Sequence, residues 1–212
     1  MCSGADASAI SPLQRLLPSG RSRFIAETRR LVAVPTFGCF VAGYLLIVPR
    51  THVLSFGQLD AETLNEADEL ADELAGRIEA AYGLPVLGFE YGNNHLGGRR
   101  IEHAHWHLLP SAAGLREWLD ARLTGQRVES LRELPRRTDQ SYIAVRDQRG
   151  ALSVYPVPNQ PSQRIRLRRL VAELDPRIDS AGWDWASENY SELIRRTVAD
   201  LSPTARSDGV QR

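Results

Sequence analysis

The chain has 212 residues, 42% hydrophobic and 25% charged, an ordinary globular composition with enough length to bury a core without metal or disulfide staples. Its 26 basic and 26 acidic side chains cancel, so no global field marks a nucleic-acid or anionic-membrane binder. Two cysteines, Cys2 and Cys39, make no disulfide framework and suit a reducing compartment, so the cytoplasm is the expected location.

Residues 1–20, rich in Ser, Ala, Gly and Pro, read as a flexible lead-in without a secretion-signal pattern. The longest apolar run, Cys39 to Val48, includes Gly43 and is too short to cross a bilayer. Leu31 to Val34 and Gly43 to Val48 are predicted as antiparallel strands separated by the turn signals Pro35 and Gly38. Pro49 closes the second, and His52 follows in the loop PRTHVLSF. Asp60 then caps a helix whose Leu64, Ala67, Leu70, Ala71, Leu74 and Ile78 recur at helical spacing up to Gly83. Its other face carries Glu66, Asp68, Glu69, Asp72 and Glu73 and is expected to be solvated.

Leu87 to Tyr91 and Ile101 to Leu109 are two further predicted strands, joined by GNNHLGGRR, which suits a tight hairpin or a phosphate-facing loop. A helix carrying Leu115, Trp118, Leu119 and Leu123 comes next, then a charged connector reaching residue 137. A smaller lobe begins near Asp139. SYIAVRD and ALSVYPV flank Gln-Arg-Gly as a β-hairpin. A helix over residues 162–174, the motif WDWASEN, a helix over 188–201 and a polar tail complete it.

Chemistry concentrates in Ile-Glu-His-Ala-His-Trp-His-Leu-Leu-Pro, residues 101–110. On a strand, His103, His105 and His107 project from one face about 7 Å apart, while Trp106 points into the core. The chain has five histidines, and three fall in this segment; His52 and His95 are the others. Three readings fit the spacing. The rings could satisfy hydrogen bonds in a polar core. They could ligate a tetrahedral metal, although Glu90 and Glu102 are the only carboxylates at hand and no cysteine is near. Or one imidazole could be a nucleophile toward phosphorus, since much of it is unprotonated at neutral pH.

The alternating histidines followed by an apolar pair resemble the signature of the histidine triad (HIT) family. GYLLIVPRTHVLSF, residues 43–56, resembles the family's strand and loop with an upstream histidine. FEYGNNHLGG, residues 89–98, resembles the stretch leading into the triad in a bacterial branch. The likeness covers residues 24–120, and the lobe beyond Asp139 is reminiscent of extensions on larger members. It implies an α+β, HIT-like fold: an antiparallel sheet of about five strands with packed helices, plus a small C-terminal α/β extension. The implied organisation is a flexible N-terminus (1–20), a catalytic domain (21–137), an accessory lobe (138–203) and a flexible tail (204–212).

The implied activity is nucleotide hydrolysis at the α-phosphate. His105 attacks, a covalent nucleotidyl-histidine forms, and water releases a nucleoside monophosphate. His107 and His52 would donate to phosphoryl oxygens, and His103 would orient His105, partly through its carbonyl. Gly97 and Gly98 would let backbone amides approach phosphate, with Arg99, Arg100, Asn94 and Glu90 as further contacts. Phe24, Leu31, Val32 and Ile47 are candidates for an apolar base pocket. No cofactor is required for the covalent step, and a divalent metal could arrive on the substrate phosphates. The partner is a small-molecule nucleotide, not nucleic acid or membrane, and small members imply a homodimer, unless the extra lobe covers that surface.

Glu90 and Arg100 stand where many small members carry asparagine and serine or glutamine. That departure weakens a phosphoramidase expectation and leaves dinucleoside polyphosphates, nucleotide sugars and acyl-adenylates open. A nucleotidyltransferase or phosphorylase, and a nucleotide-binding protein without turnover, are the alternatives.

Overall fold

The computed structural model describes residues 12–17, 19, 22–93, 103–136, 139–158, 165–179 and 190–203. A helical turn α1 (Pro12–Arg15) precedes β1 (Ala26–Glu27), β2 (Leu31–Pro35) and β3 (Leu45–Pro49). Helix α2 (Ala61–Tyr82), β4 (Val86–Gly92) and β5 (Trp106–Pro110) follow. The remainder is α3 (Leu115–Asp120), β6 (Gln126–Val128), β7 (Ser141–Arg146), β8 (Leu152–Val157), α4 (Leu167–Leu174) and α5 (Ser191–Leu201). The strands form one sheet in the order β1-β2-β3-β5-β4-β7-β8-β6, every pairing antiparallel. The class is α+β.

Strand alternation sorts side chains to two faces. Ala33, Ile47 and Trp106 lie in register across β2, β3 and β5, all fully buried, and Leu31 shares their side. Helix α2 packs on this face: Arg146, in register with Gly88, reaches its Asp68 and Asp72. The helix starts where the Asp60 carboxylate accepts from the Thr63 amide at 2.7 Å and stops at Gly83, whose φ of 64° few side chains tolerate. Gly88 leaves room for the Trp106 indole; a Cβ there would lie 2.8 Å from its Nε1.

The other face carries His107, in register with Leu46 of β3 and Phe89 of β4. Toward β7 and β8 it is closed: Ile143, Val145 and Tyr155 are fully buried, and the Tyr155 hydroxyl donates to Asp120 of α3 at 2.7 Å. Toward β2 and β3 it is more open, with Val32, Val34 and Val48 half-buried.

The sheet is wider than the expected five strands because the hairpin β7–β8 joins it through β4 and brings β6 to its edge. Two of the three β6 side chains are exposed, so no apolar alternation announces that strand. The expected strand over 101–109 begins only at Trp106. Pro49 ends β3, and the Ala104 amide instead donates to the Val53 carbonyl at 2.8 Å. The acidic face of α2 is not wholly solvated: Glu66 pairs with Arg30 and Asp68 with Arg146, both carboxylates mostly covered, while Glu69, Asp72 and Glu73 stay exposed. Among the described residues no helix is long and apolar enough to cross a membrane.

Candidate active site

Four imidazoles gather where β5 begins. The His107 ring stacks on Phe89, centroids 4.4 Å apart and planes 21° from parallel. The His105 ring stands nearly edge-on to it at 4.7 Å. His103 and His52 approach with their Nδ1 atoms 3.3 Å apart, His52 coming from the exposed loop after β3.

The partners fix where the protons sit. Carbonyls only accept, so His103 donates Nε2–H to the Pro49 carbonyl at 2.7 Å. Between His103 and His52 a single Nδ1–H is shared, one ring donating and the other accepting. His105 likewise donates Nδ1–H to the His103 carbonyl at 2.8 Å. Its Nε2 is therefore the nitrogen with the free electron pair.

Burial is the main reason the His105 pKa falls below its ordinary value. The hydrogen bond to the His103 carbonyl opposes this in part, and the charges of Arg168 and His103 add to it. Burial, followed by His105 and Arg168, holds His107 well below the imidazole range. Both rings are neutral at neutral pH, and His105 presents an unprotonated nitrogen.

Two groups at the site were not foreseen. The Tyr44 Oη lies 2.8 Å from His107 Nδ1, and burial pushes the phenol well above its ordinary pKa. Arg168 on α4 lies 5.1 Å from the ring centres of both Phe40 and Tyr44, and donates to Thr36 Oγ1 at 3.0 Å and to the Gly38 carbonyl. Tyr44 sits in an apolar run that reads as core, and nothing local in the α4 sequence ties Arg168 to the histidines.

Glu90, expected among the substrate contacts, is not brought to the triad. Its neighbour Phe89 shares the His107 face, so alternation turns Glu90 to the α2 side. There it accepts from the Phe56 amide at 2.9 Å and the Tyr142 hydroxyl at 2.6 Å, and burial pushes its pKa up to about 7. Leu31 and Ile47 likewise belong to the core on that side, whereas Val32 is on the triad's side and Phe24 lies half-buried beneath the Arg23 guanidinium. Asn94, His95, Gly97, Gly98, Arg99, Arg100 and Glu102 lie outside the described residues. Asn93, at the head of that connection, has a φ of 52°; its side chain accepts from Gln58 at 2.6 Å and donates to the Gln140 carbonyl at 3.2 Å. Among the described residues no group of three or more His, Cys, Asp or Glu side chains is placed to hold a metal ion.

The antiparallel sheet thus brings together the three alternating histidines of the histidine-triad signature. Residues 19–114 match the HIT domain model, so the likeness to that family lies in this segment. An uncharacterized HIT-like protein of Mycoplasma pneumoniae is 25% identical over 68 residues, 32% of this chain and 47% of that protein, so the match spans about half of that relative's length. Two solved structures are similar over part of the chain. A hypothetical histidine triad nucleotide-binding protein of Sulfolobus tokodaii is 23% identical over 42% of this chain and 59% of its own, at a TM-score of 0.36. A Hit-like protein involved in cell-cycle regulation from Bartonella henselae is 17% identical over 46% of this chain and 70% of its own, at a TM-score of 0.35.

Proposed function

We propose that the protein is a nucleotide hydrolase that acts at the α-phosphorus through a covalent nucleotidyl-His105 intermediate. The observation that carries this reading is the 2.8 Å bond from His105 Nδ1–H to the His103 carbonyl, which leaves Nε2 as a directed nucleophile. The Nε2 lone pair forms a bond to phosphorus while the P–O bond to the leaving group breaks. The electron pair departs on the leaving oxygen, which takes up a proton. Water then attacks the same phosphorus, the P–N bond breaks with its electrons returning to Nε2, and a nucleoside monophosphate leaves with the oxygen of water.

Negative charge spreads over the phosphoryl oxygens in both steps, so positioned donors supply much of the acceleration. Neutral His107 is placed to donate from the ring nitrogen not facing Tyr44, and His52 stands beside the triad through its contact with His103. Among the described residues the Arg168 cation acts on both His105 and His107, a setting suited to an anionic substrate. The half-buried Val32, Val34 and Val48 extend an apolar surface on the same side, of the character that accepts a nucleobase.

Intact-protein mass spectrometry after brief incubation with dinucleoside polyphosphates, nucleotide sugars and acyl-adenylates tests the reading. Wild type should gain the mass of a nucleoside monophosphate, lost on acid treatment, and His105→Ala should not. Nucleotide binding without adduct or product from any of these substrates would overturn it in favour of a binding protein. Release of a nucleoside diphosphate only when inorganic phosphate is present would identify a phosphorylase instead.

A further inference from the structure

Arg168 belongs to α4, outside the segment 19–114 that matches the family model, yet its guanidinium sits beside the triad. We propose that Arg168 and Tyr44 are a positioning pair that fixes the His107 proton on Nε2, so that α4 is part of the active-site machinery. The proposal rests on the nucleotidyl-transfer reading of the triad.

The partner of His107 Nδ1 is the Tyr44 hydroxyl at 2.8 Å, and either group could donate. The guanidinium decides between the two. It is held by Thr36 and the Gly38 carbonyl, with its carbon 5.1 Å from the Tyr44 ring centre. A cation beside a phenol turns the oxygen lone pairs toward itself and the O–H proton away, here toward His107. Once Tyr44 donates, neutral His107 carries its own proton on Nε2. That makes it a donor next to the edge-on His105 ring, where a phosphoryl oxygen would bear charge.

Among the described residues little else could set this arrangement. Phe89 of β4 and Leu46 of β3 flank His107 and do not titrate. Cys39, beside the Thr36–Tyr44 connection, is buried and its thiol is pushed up to about 11, so it stays neutral. His105 and His103 come from the segment before β5, and His52 from the loop after β3. Among the described residues Arg168 is the permanent charge acting on both His105 and His107, and it disfavours the imidazolium form of each.

Two-bond ¹H–¹⁵N correlation on the full chain labelled at histidine, with His107→Gln for assignment, reads the tautomer without any substrate. Wild-type His107 should be protonated at Nε2. Tyr44→Phe and Arg168→Gln should move it toward the Nδ1 form or a mixture, and Arg168→Lys should restore it. In turnover, Tyr44→Phe and Arg168→Gln should lower kcat about tenfold or more, with KM changed far less. Arg168→Gln should also shift the acid limb of the rate profile to higher pH, because losing the cation lets His105 protonate more readily.

A wild-type His107 protonated at Nδ1 would overturn the proposal. So would folded Tyr44→Phe and Arg168→Gln variants with an unchanged tautomer and an unchanged acid limb. If Arg168→Gln does not fold, Tyr44→Phe and Arg168→Lys decide the matter on the same spectrum. Because the spectrum needs no turnover, absence of a nucleotidyl adduct would sink the transfer reading alone and leave the tautomer result standing.

Discussion

His105 Nδ1–H points at the carbonyl of His103, two residues back in the same segment, at 2.8 Å. The contact orients the ring and assigns the lone pair to Nε2 in one step, and backbone supplies it, so no side-chain substitution removes it. With burial, Arg168 and His103 holding the His105 pKa below 6.5, the reactive neutral form persists as pH falls through the ordinary imidazole range. We expect kcat/KM to be flat around neutrality and to decline only at pH below about 6.5. His105→Ala should abolish turnover and leave nucleotide affinity within about tenfold, since the ring attacks rather than anchors. An acid limb centred at or above 6.5 in a pH–rate series would contradict the neutral-nucleophile assignment.

Phe89 stacks against His107 at 4.4 Å and is itself buried, so it acts as a wall for the ring. Phe89→Leu keeps an apolar side chain but gives up the flat contact, at a stability cost of about 1–2 kcal/mol. A loosened His107 should lower kcat more than it raises KM, because its donor would no longer be held where charge develops. Denaturant titration and steady-state kinetics on one preparation separate the two effects. A variant with reduced stability and unchanged kcat would limit Phe89 to packing.

Much of this was legible in the sequence because the informative patterns are local. The capped helix from Asp60 to Gly83 and the hairpin of β7 and β8 follow from spacing and turn chemistry over a few residues. The alternation of His103, His105 and His107 marks the candidate site in the same way. What escaped was set by distant contacts. Glu90 is one position from Phe89, and only the register decided that it faces Tyr142 rather than the histidines. Tyr44 reads as core until its hydroxyl is seen at His107. Arg168 reads as helix surface until α4 is packed on the connection between β2 and β3.

Asp175 terminates α4 and anchors it to the chain after β5. Its fully buried carboxylate accepts from Ser111 Oγ at 2.8 Å, the Ala112 amide at 3.1 Å and Arg177 Nε at 2.8 Å. Burial alone would raise its pKa, but Arg177 and these donors outweigh burial and bring it down from 3.8 to about 2. Asp175→Asn should cost about 1–3 kcal/mol at pH 7; the partly exposed Arg177 tempers the loss. The sign follows from the depressed pKa: the carboxylate's contribution is present above about pH 4 and fades as pH falls toward 2. Urea unfolding of both proteins at pH 7 and pH 3 should therefore show a smaller gap at the lower pH. An equal gap would mean that shape rather than charge holds the anchor.

Glu90 behaves in the opposite sense. Burial pushes its pKa from 4.5 up to about 7, although the Tyr142 hydroxyl and the Phe56 amide both favour the charged form. The folded protein then holds a proton that the unfolded chain has released, between about pH 4.5 and 7. Its contribution to stability is full below about 4.5 and is lost as pH rises through 7. Glu90→Gln cannot ionise and keeps an oxygen for the Phe56 amide, so it should lack this decline. Relative to wild type it should gain stability on going from pH 5 to pH 8, by roughly 1–3 kcal/mol. Because Glu90 lies on the α2 side of the sheet, the same substitution should leave the acid limb of kcat/KM in place. Parallel stability curves for the two proteins across that range would show that the buried carboxylate stays ionised at pH 5. A shifted acid limb in the variant would show that Glu90 communicates with the triad through the sheet after all.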